Sequence, residues 1–512
     1  MKVIIALSVL AFSSLSWAGS ATLTVDAGKP GATVSRFLQG QFAEHLGHCI
    51  YGGVWVGEDS AIPNTRGIRN DVVQALRELK VPVIRWPGGC FADEYHWMDG
   101  IGPREKRPSM VNTHWGGVTE NNHFGTHEFL DLCEQVGAEP YISANVGSGT
   151  VQEMMQWVEY LTSDADAPMP NLRRKNGRNK PWKVKWFGVG NENWGCGGSM
   201  RPEYYADQFL RYNTYAKNYG ENTLFRIACG PNGDDYRWTD VLMGAAKKKM
   251  DGIALHYYTS TRSADNKKKL PATGFSEDDY YRSLARGLRM EELIAKHLAV
   301  MEQHDPEKKV SLLVDEWGVW TAVEPGTNPG FLYQQNTLRD AIVAATTLDI
   351  FHKYPERIQM ANIAQMVNVL QAMILTDGPK MVLTPTYHAF ELYKVHQDAK
   401  SLPVTLQCES RSVGEGKIAL VSASASRAAD GAINLSLSNL DATADCQIDC
   451  LIEGAQPTTM SGRTLTASAF DSHNTFESPE TVKPVPFTSA EIVKDHLKLT
   501  LPAKSILTLT LR

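Results

Sequence analysis

Two apolar strands that each run into a glutamate constrain this chain most. Lys183–Trp194 reads as a short buried strand stopping at Asn191-Glu192, and Lys309–Trp317 as a second one stopping at Asp315-Glu316. The two glutamates are distant in sequence. They become partners only in a fold that gathers the carboxyl ends of parallel strands. Two carboxylates placed that way suit the breaking of a glycosidic bond.

The surrounding pattern supplies such a fold. From about residue 36 to 395, short apolar strands alternate with longer amphipathic stretches, the mark of repeated β/α units. Strands are predicted at 37–42, 83–85, 140–145, 184–190, 225–230, 252–256, 310–315 and 360–365. Helical patterns lie between them, at 70–79, 126–136, 204–219 and 288–304 among others. Eight strands predict a (β/α)₈ TIM barrel, whose active site is built from the carboxyl ends of its strands. The strand-end residues are polar throughout: Glu44, Arg85, Asn145, Glu192, Asn232, His256, Glu316 and Gln365.

After residue 396 the texture changes to alternating or β-branched segments at 418–424, 431–438, 447–452, 496–500 and 505–511, an all-β, jelly-roll-like sandwich. The expected organisation is therefore a signal peptide over 1–18, an N-terminal strand within 19–35 that joins the sandwich, a barrel over 36–395 and a sandwich over 396–512. The signal rests on Lys2, the apolar run 3–12 and Ser16-Trp17-Ala18, and it predicts export after cleavage near Ala18. The apolar run is too short to span a bilayer, so no membrane partner is expected.

With 43% hydrophobic and 21% charged residues and a formal charge of -6, the chain carries no electrostatic footprint for nucleic acid. The basic runs 173–175 and 267–269 read as solvated loops. Eight cysteines in 512 residues are not a disulfide scaffold, and free buried thiols are expected for most of them. Cys446 and Cys450 would lie about 13 Å apart on a straight strand, beyond bridging distance.

In a barrel, Glu192 and Glu316 sit on strands four and seven and face each other across the mouth. Taken alone, each could be an ordinary salt-bridged strand end, and His256 a structural barrel residue. The surrounding motifs weigh against that. Gly40-Gln-Phe-Ala-Glu-His-Leu-Gly47, Arg85-Trp-Pro-Gly-Gly-Cys90, Gly188-Val-Gly-Asn-Glu192, His256-Tyr-Tyr258, Asp315-Glu316-Trp317 and Ala364-Gln-Met-Val-Asn368 occur in order along the barrel. In these the chain resembles the α-L-arabinofuranosidases of glycoside hydrolase family 51, which pair such a barrel with a β-sandwich.

The resemblance implies a retaining, exo-acting enzyme with Glu192 as acid/base and Glu316 as nucleophile. It implies that Glu44, Asn191 and Gln365 bond the sugar hydroxyls, and that His256 and Tyr258 hold and polarise the nucleophile. Trp115 and Trp320 would line the pocket. Cys90 stands where other members have Asn or Cys, and its thiol would touch the sugar mainly by packing. Trp97, Trp157, Trp182 and Trp186 are read as core. The expected substrates are arabinan, arabinoxylan and their oligosaccharides, and the resemblance favours a homo-oligomer.

No metal or organic cofactor is called for. His45-Leu-Gly-His48 and His127-Glu-Phe-Leu-Asp131 lack the zinc spacing, Gly188-Val-Gly190 lacks the third glycine of a dinucleotide site, and no G-x-S-x-G elbow follows a strand. Two rivals remain: an endo-xylanase or endo-glucanase of the same barrel clan, and a catalytically silent carbohydrate-binding protein. The first needs an open cleft. The second would be expected to have lost a carboxylate.

Overall fold

Eight strands that are apolar on both faces can satisfy themselves only by closing into a barrel wrapped in helices. The computed structural model describes residues 19–512 and shows that closure. The signal expected over residues 1–18 lies outside the described residues. The barrel strands are β1 (Gly40–Phe42), β2 (Val83–Trp86), β3 (Glu139–Ala144), β4 (Trp186–Val189), β5 (Phe225–Ala228), β6 (Gly252–Ser260), β7 (Ser311–Trp320) and β8 (Ile358–Ala364). Each pairs in parallel with the next, and β8 returns to β1 through Asn362 opposite Gly40. A helix follows every strand: α1 (Asn70–Glu78), α2 (Thr126–Val136), α3 (Val151–Thr162), α4 (Pro202–Tyr215), α5 (Tyr236–Ala246), α6 (Glu277–His304), α7 (Leu338–His352) and α8 (Pro385–Tyr393).

The barrel interior is a packed layer, not a pore. Val83, Tyr141, Trp186, Ile227, Ala254, Leu313 and Met360 contribute one buried side chain from each of seven strands. The eighth, β1, contributes Gly40, where a Cβ would lie 2.7 Å from Val83 Cγ1 and 2.1 Å from Asn362 Oδ1. Bulky neighbours leave no room for anything larger. Above this floor the strands turn polar, and the mouth begins.

Helix α6 starts earlier than its apolar periodicity predicts, at Glu277 instead of residue 288. Ser276 accepts from Asp279 N while the Asp279 carboxylate returns to Ser276, a reciprocal cap worth about 1 kcal/mol. Helix α7 is buried along its whole length between barrel and sandwich. Its Asp349 accepts from Tyr393 of α8 at 2.8 Å and from Ser422 of the sandwich at 2.6 Å, so a polar contact pins the two units together.

The sandwich has two sheets. One orders Val404–Cys408, Gly19–Asp26, Cys446–Glu453, His496–Leu501 and Ala490–Val493; the other runs from Lys400–Leu402 through Val421–Arg427, Ile433–Asn439, Ser505–Leu511 and Met460–Leu465 to Val485–Pro486. The strand predicted over 418–424 is broken at Leu420, because Gly416–Ala419 pairs back on Ser410–Val413 while Val421–Arg427 enters the sheet. Gly19–Asp26 is a central strand, parallel to Cys446–Glu453 and antiparallel to Val404–Cys408. Cys446 and Cys450 are free and buried on one strand. No helix among the described residues is long and apolar enough to cross a membrane.

Leu23 of that N-terminal strand is 2% exposed in the sandwich core. Leu23→Ala is expected to destabilise the protein by about 2–5 kcal/mol, the transfer term plus the cavity it leaves. Denaturant titration of both proteins measures this, and a loss below about 1 kcal/mol would mean that the strand carries little of the sandwich's stability.

Candidate active site

Backbone geometry aims the carboxylates. Strand β4 ends in a turn where Gly190 has φ +86° and Glu192 itself has φ +41°, a left-handed conformation that costs a non-glycine residue about 1–2 kcal/mol. Asp93, from the loop after β2, holds this turn by accepting from Asn191 N at 3.0 Å. The same carboxylate accepts from Val146 N and Gly147 N after β3, at 2.7 and 2.8 Å. Burial lifts Asp93 to about 7 against those three bonds and Arg85.

On β7 the regular alternation fails where it matters. Adjacent side chains of a strand point to opposite faces, yet Asp315 and Glu316 both face Arg85 and His256. Register shifts between Ala254 and His256 on the β6 side, and between Val314 and Trp317 on the β8 side, permit this.

The result is a buried charge network. Arg85 Nη1 donates to Glu316 Oε1 at 2.8 Å and Nη2 to Asn191 Oδ1 at 2.5 Å, while its Nε lies 3.6 Å from Asp315 Oδ2. His256 Nδ1 lies 2.8 Å from Glu192 Oε1 and 3.4 Å from Glu316 Oε2, and its Nε2 is 3.0 Å from Asp315 Oδ1. Tyr258 donates to Glu316 Oε2 at 2.9 Å, and Tyr141 donates to Asp315 Oδ2 at 2.7 Å. Carboxylate oxygens of Glu192 and Glu316 and a ring nitrogen of His256 all lie within 4.8 Å of one another.

Burial raises Glu192, and Glu316 adds to the rise while His256 and Arg85 oppose it. Burial would lower His256, but Glu316 and Asp315 outweigh it and lift the imidazole to about 10. Burial would also raise Asp315, yet Arg85 and His256 hold it below the usual carboxylate range.

Several residues expected to meet the substrate share one cavity of about 440 Å³, with Glu44, Cys90, Trp115, Glu192, Tyr258, Glu316, Trp320 and Gln365 in its walls. Glu44 Oε1 accepts from Gly89 N, Phe91 N and Trp115 Nε1 at 2.9–3.0 Å, and Oε2 accepts from Gln365 Nε2 at 3.0 Å. Asn191 Nδ2 and Gln365 Oε1 are buried and have no partner among the described residues. Trp320 meets Tyr258 edge-on at 5.2 Å. Gly88 and Gly89 are required by space: a Cβ would lie 2.5 Å from Glu44 Cγ at the first and 2.7 Å from Glu316 Oε1 at the second.

Cys90 departs from its expected thiol: it is disulfide-bonded to Cys196. The glycine-rich loop after Glu192 folds back so that the two Cα atoms stand 5.5 Å apart, which lets the sulfurs meet. Arg85, Tyr141, Asp93, Asp315 and Cys196 were not singled out as site residues from the sequence. Arg85 and Asp315 carry a signal, since both stand inside motifs at strand ends. Among the described residues two clusters have metal-binding spacing, Glu192–His256–Glu316 and Cys90–Glu192–Cys196. The first is occupied with its own hydrogen bonds; the second is closed by the disulfide.

Comparison with known proteins narrows the chemistry. The model of the alpha-L-arabinofuranosidase 1 domain matches residues 75–273, and that of the alpha-L-arabinofuranosidase C-terminal domain matches residues 315–505. An intracellular exo-alpha-L-arabinofuranosidase of Bacteroides ovatus is 57% identical over 513 residues, covering 100% of this chain and 99% of that protein. The crystal structure of a GH51 arabinofuranosidase from Xanthomonas axonopodis pv. citri superposes with a TM-score of 0.95 at 53% identity, covering 96% of this chain and 100% of that one. An alpha-L-arabinofuranosidase from Thermotoga maritima, solved as an arabinose complex, gives 0.84 at 31% identity over 96% and 99% of the two chains. The Bacteroides protein overturns the export expected from residues 1–18, because so similar a full-length relative is named as intracellular.

Glu44 supplies a pH test. Burial, reinforced by Glu316, raises it from 4.5 to about 7. Between those values the folded chain keeps the proton and the unfolded chain has released it, so this group's contribution to stability falls as pH rises and levels off above 7. Stability measured from pH 4 to 8 is expected to shift in favour of Glu44→Gln, relative to the unmodified protein, by up to roughly 3 kcal/mol across that window. A difference independent of pH would contradict the raised value.

Proposed function

Because the chain belongs to the α-L-arabinofuranosidases of glycoside hydrolase family 51, we propose that Glu316 is the nucleophile and Glu192 the acid/base of a retaining double displacement. The enzyme is an exo-acting α-L-arabinofuranosidase and acts on arabinose-containing substrates. The observation that supports a retaining mechanism is that an oxygen of each carboxylate lies within 4.8 Å of the other, a separation suited to retaining pairs at about 5–5.5 Å and well short of inverting ones; the roles rest on Arg85 and Tyr258 holding Glu316 and on burial raising Glu192.

Glu316 attacks the anomeric carbon. Arg85 and Tyr258 hold its two oxygens, which fixes the line of attack. Glu192, raised by burial, gives its proton to the leaving oxygen. Esterification of Glu316 then removes a negative charge beside Glu192, whose pKa falls, and the carboxylate takes a proton from the attacking water.

Asn191 Nδ2 and Gln365 Oε1 are free to bond the sugar hydroxyls, and Asn191 serves the 2-hydroxyl, where bonding strengthens in the transition state. Glu44 binds a further hydroxyl. Trp115 and Trp320 pack against the sugar, and the Cys90–Cys196 bridge forms the wall beside Glu192. His256 orients both glutamates. The 57% identical exo-acting relative supports release of single arabinofuranose units from arabinan, arabinoxylan or their oligosaccharides. The homo-oligomer reading stands on family resemblance, and light scattering on the purified chain checks it.

Hydrolysis of aryl α-L-arabinofuranoside, beside aryl β-xyloside and polymeric xylan, separates this reading from an endo-acting enzyme and from a silent binding protein. Glu316→Ala is expected to abolish turnover on every substrate. Glu192→Ala is expected to retain cleavage of arabinosides with activated leaving groups and to lose about 10²–10⁴-fold on unactivated ones. Equal losses on both would refute Glu192 as the acid.

A further inference from the structure

The side of Glu192 turned away from His256 is faced by sulfur. Glu192 Oε1 is taken by His256 at 2.8 Å, which leaves Oε2 lying 3.5 Å from Cys196 Sγ and 3.9 Å from Cys90 Sγ. We propose that reducing the Cys90–Cys196 bond turns this corner into a binding site for a thiophilic divalent cation such as Zn²⁺. Cys90, Cys196 and Glu192 Oε2 would be its ligands, and occupation would take the carboxyl out of the reaction.

The geometry is close to what such an ion needs. Zinc binds sulfur at about 2.3 Å and carboxylate oxygen at about 2.1 Å, so tetrahedral angles set each S···O separation at about 3.6 Å. Both sulfurs already stand near that distance from Oε2. Only the sulfur pair must open, and side-chain rotation can supply this once the bond is cut. Two thiolates with one carboxylate are a donor set suited to zinc. His256 acts as the outer-shell partner that orients the carboxylate ligand. Cys196 lies in a loop with Gly195, Gly197 and Gly198, Cys90 lines the pocket, and both cysteines are partly exposed, so reductant and ion have access.

The chemistry balances. Two equivalents of a small-molecule thiol reduce the protein disulfide by exchange and leave as their own disulfide. Metal binding then releases the two cysteine protons, and the proton of Glu192 where it is present, to solvent. In a thiol-reducing compartment the dithiol is the prevailing form.

Metal binding is a property of the three side chains alone. Inhibition rests on the acid/base role proposed for Glu192. The test uses the full-length chain, stripped of metal, reduced with dithiothreitol, desalted without oxygen and titrated with Co²⁺ and then Zn²⁺. Expected are one Co²⁺ per chain with a thiolate-to-cobalt charge-transfer band in the near ultraviolet, its displacement by Zn²⁺, and loss of aryl arabinofuranoside turnover that EDTA restores. The unreduced protein and reduced Cys196→Ser should show no band, and zinc should leave each at its own metal-free rate. Cys90→Ser serves as the second variant if Cys196→Ser fails to fold, which circular dichroism reports. Absence of the band after reduction, the same band in either variant, or equal zinc inhibition before and after reduction would overturn the site. The band with undiminished turnover would uphold the site and count against Glu192 as acid/base.

Discussion

The mouth of this barrel is organised around one buried guanidinium. Arg85 is 1% exposed and lies between the rings of Phe42 and Tyr141, its Cζ 4.7 and 5.7 Å from their centroids. A charge taken that far from water must be paired and hydrogen-bonded. Its partners are Glu316, Asp315 and Asn191, so the requirement that stabilises Arg85 also fixes the end of β7 and the turn after β4. His256 is the second cation. Three further carboxylates, Glu44, Glu192 and Asp315, crowd around Glu316, and two cations cannot neutralise all four. Burial raises Glu44 and Glu192, whereas Asp315, which is at least as buried, is lowered because Arg85 and His256 face it directly.

The barrel was legible in the chain because its strands are buried on both faces and stop at polar residues. Of those polar ends, Glu44, Glu192, Asn232, Glu316 and Gln365 line the cavity and Arg85 and His256 bond the glutamates there, whereas Asn145 turns aside to bind the loop at Ser148 and Gly149. Periodicity alone does not reveal that difference, since the backbone beyond the strand decides it. The doubled placement of Asp315 and Glu316 was also hidden. Alternation predicts opposite faces, and the register shifts that bring both inward come from pairing with distant strands. Arg85 looked like one more polar end because nothing local records its partners.

The cysteines show the same limit more sharply. In the sequence Cys90 reads as a thiol because Cys196 is 106 positions away and no local spacing joins them. Three contacts bring them together: the left-handed turn at Glu192, the glycine-rich return that follows, and Asp93 tying the loops after β2, β3 and β4. The early start of α6 is the opposite case. Its capping box is local, running from Ser276 to Asp279, but it stands ahead of the strongest apolar periodicity, so periodicity alone places the helix start too late.

The same network explains why the two glutamates need no exchange of positions between the steps of the proposed cycle. While Glu316 is charged, it raises both Glu192 and His256, so the proton is held beside the leaving oxygen. Once Glu316 is esterified, that charge disappears. Arg85 and His256 then face only Asp315 and Glu192, and their combined field favours Glu192 as the anion. Asp315, kept ionised by Arg85 and Tyr141, anchors His256 Nε2 through both halves, so the imidazole stays oriented while the charge around it changes. Chemistry at one carboxyl thus sets the protonation of the other through rigid, buried partners, and the barrel has only to hold them still.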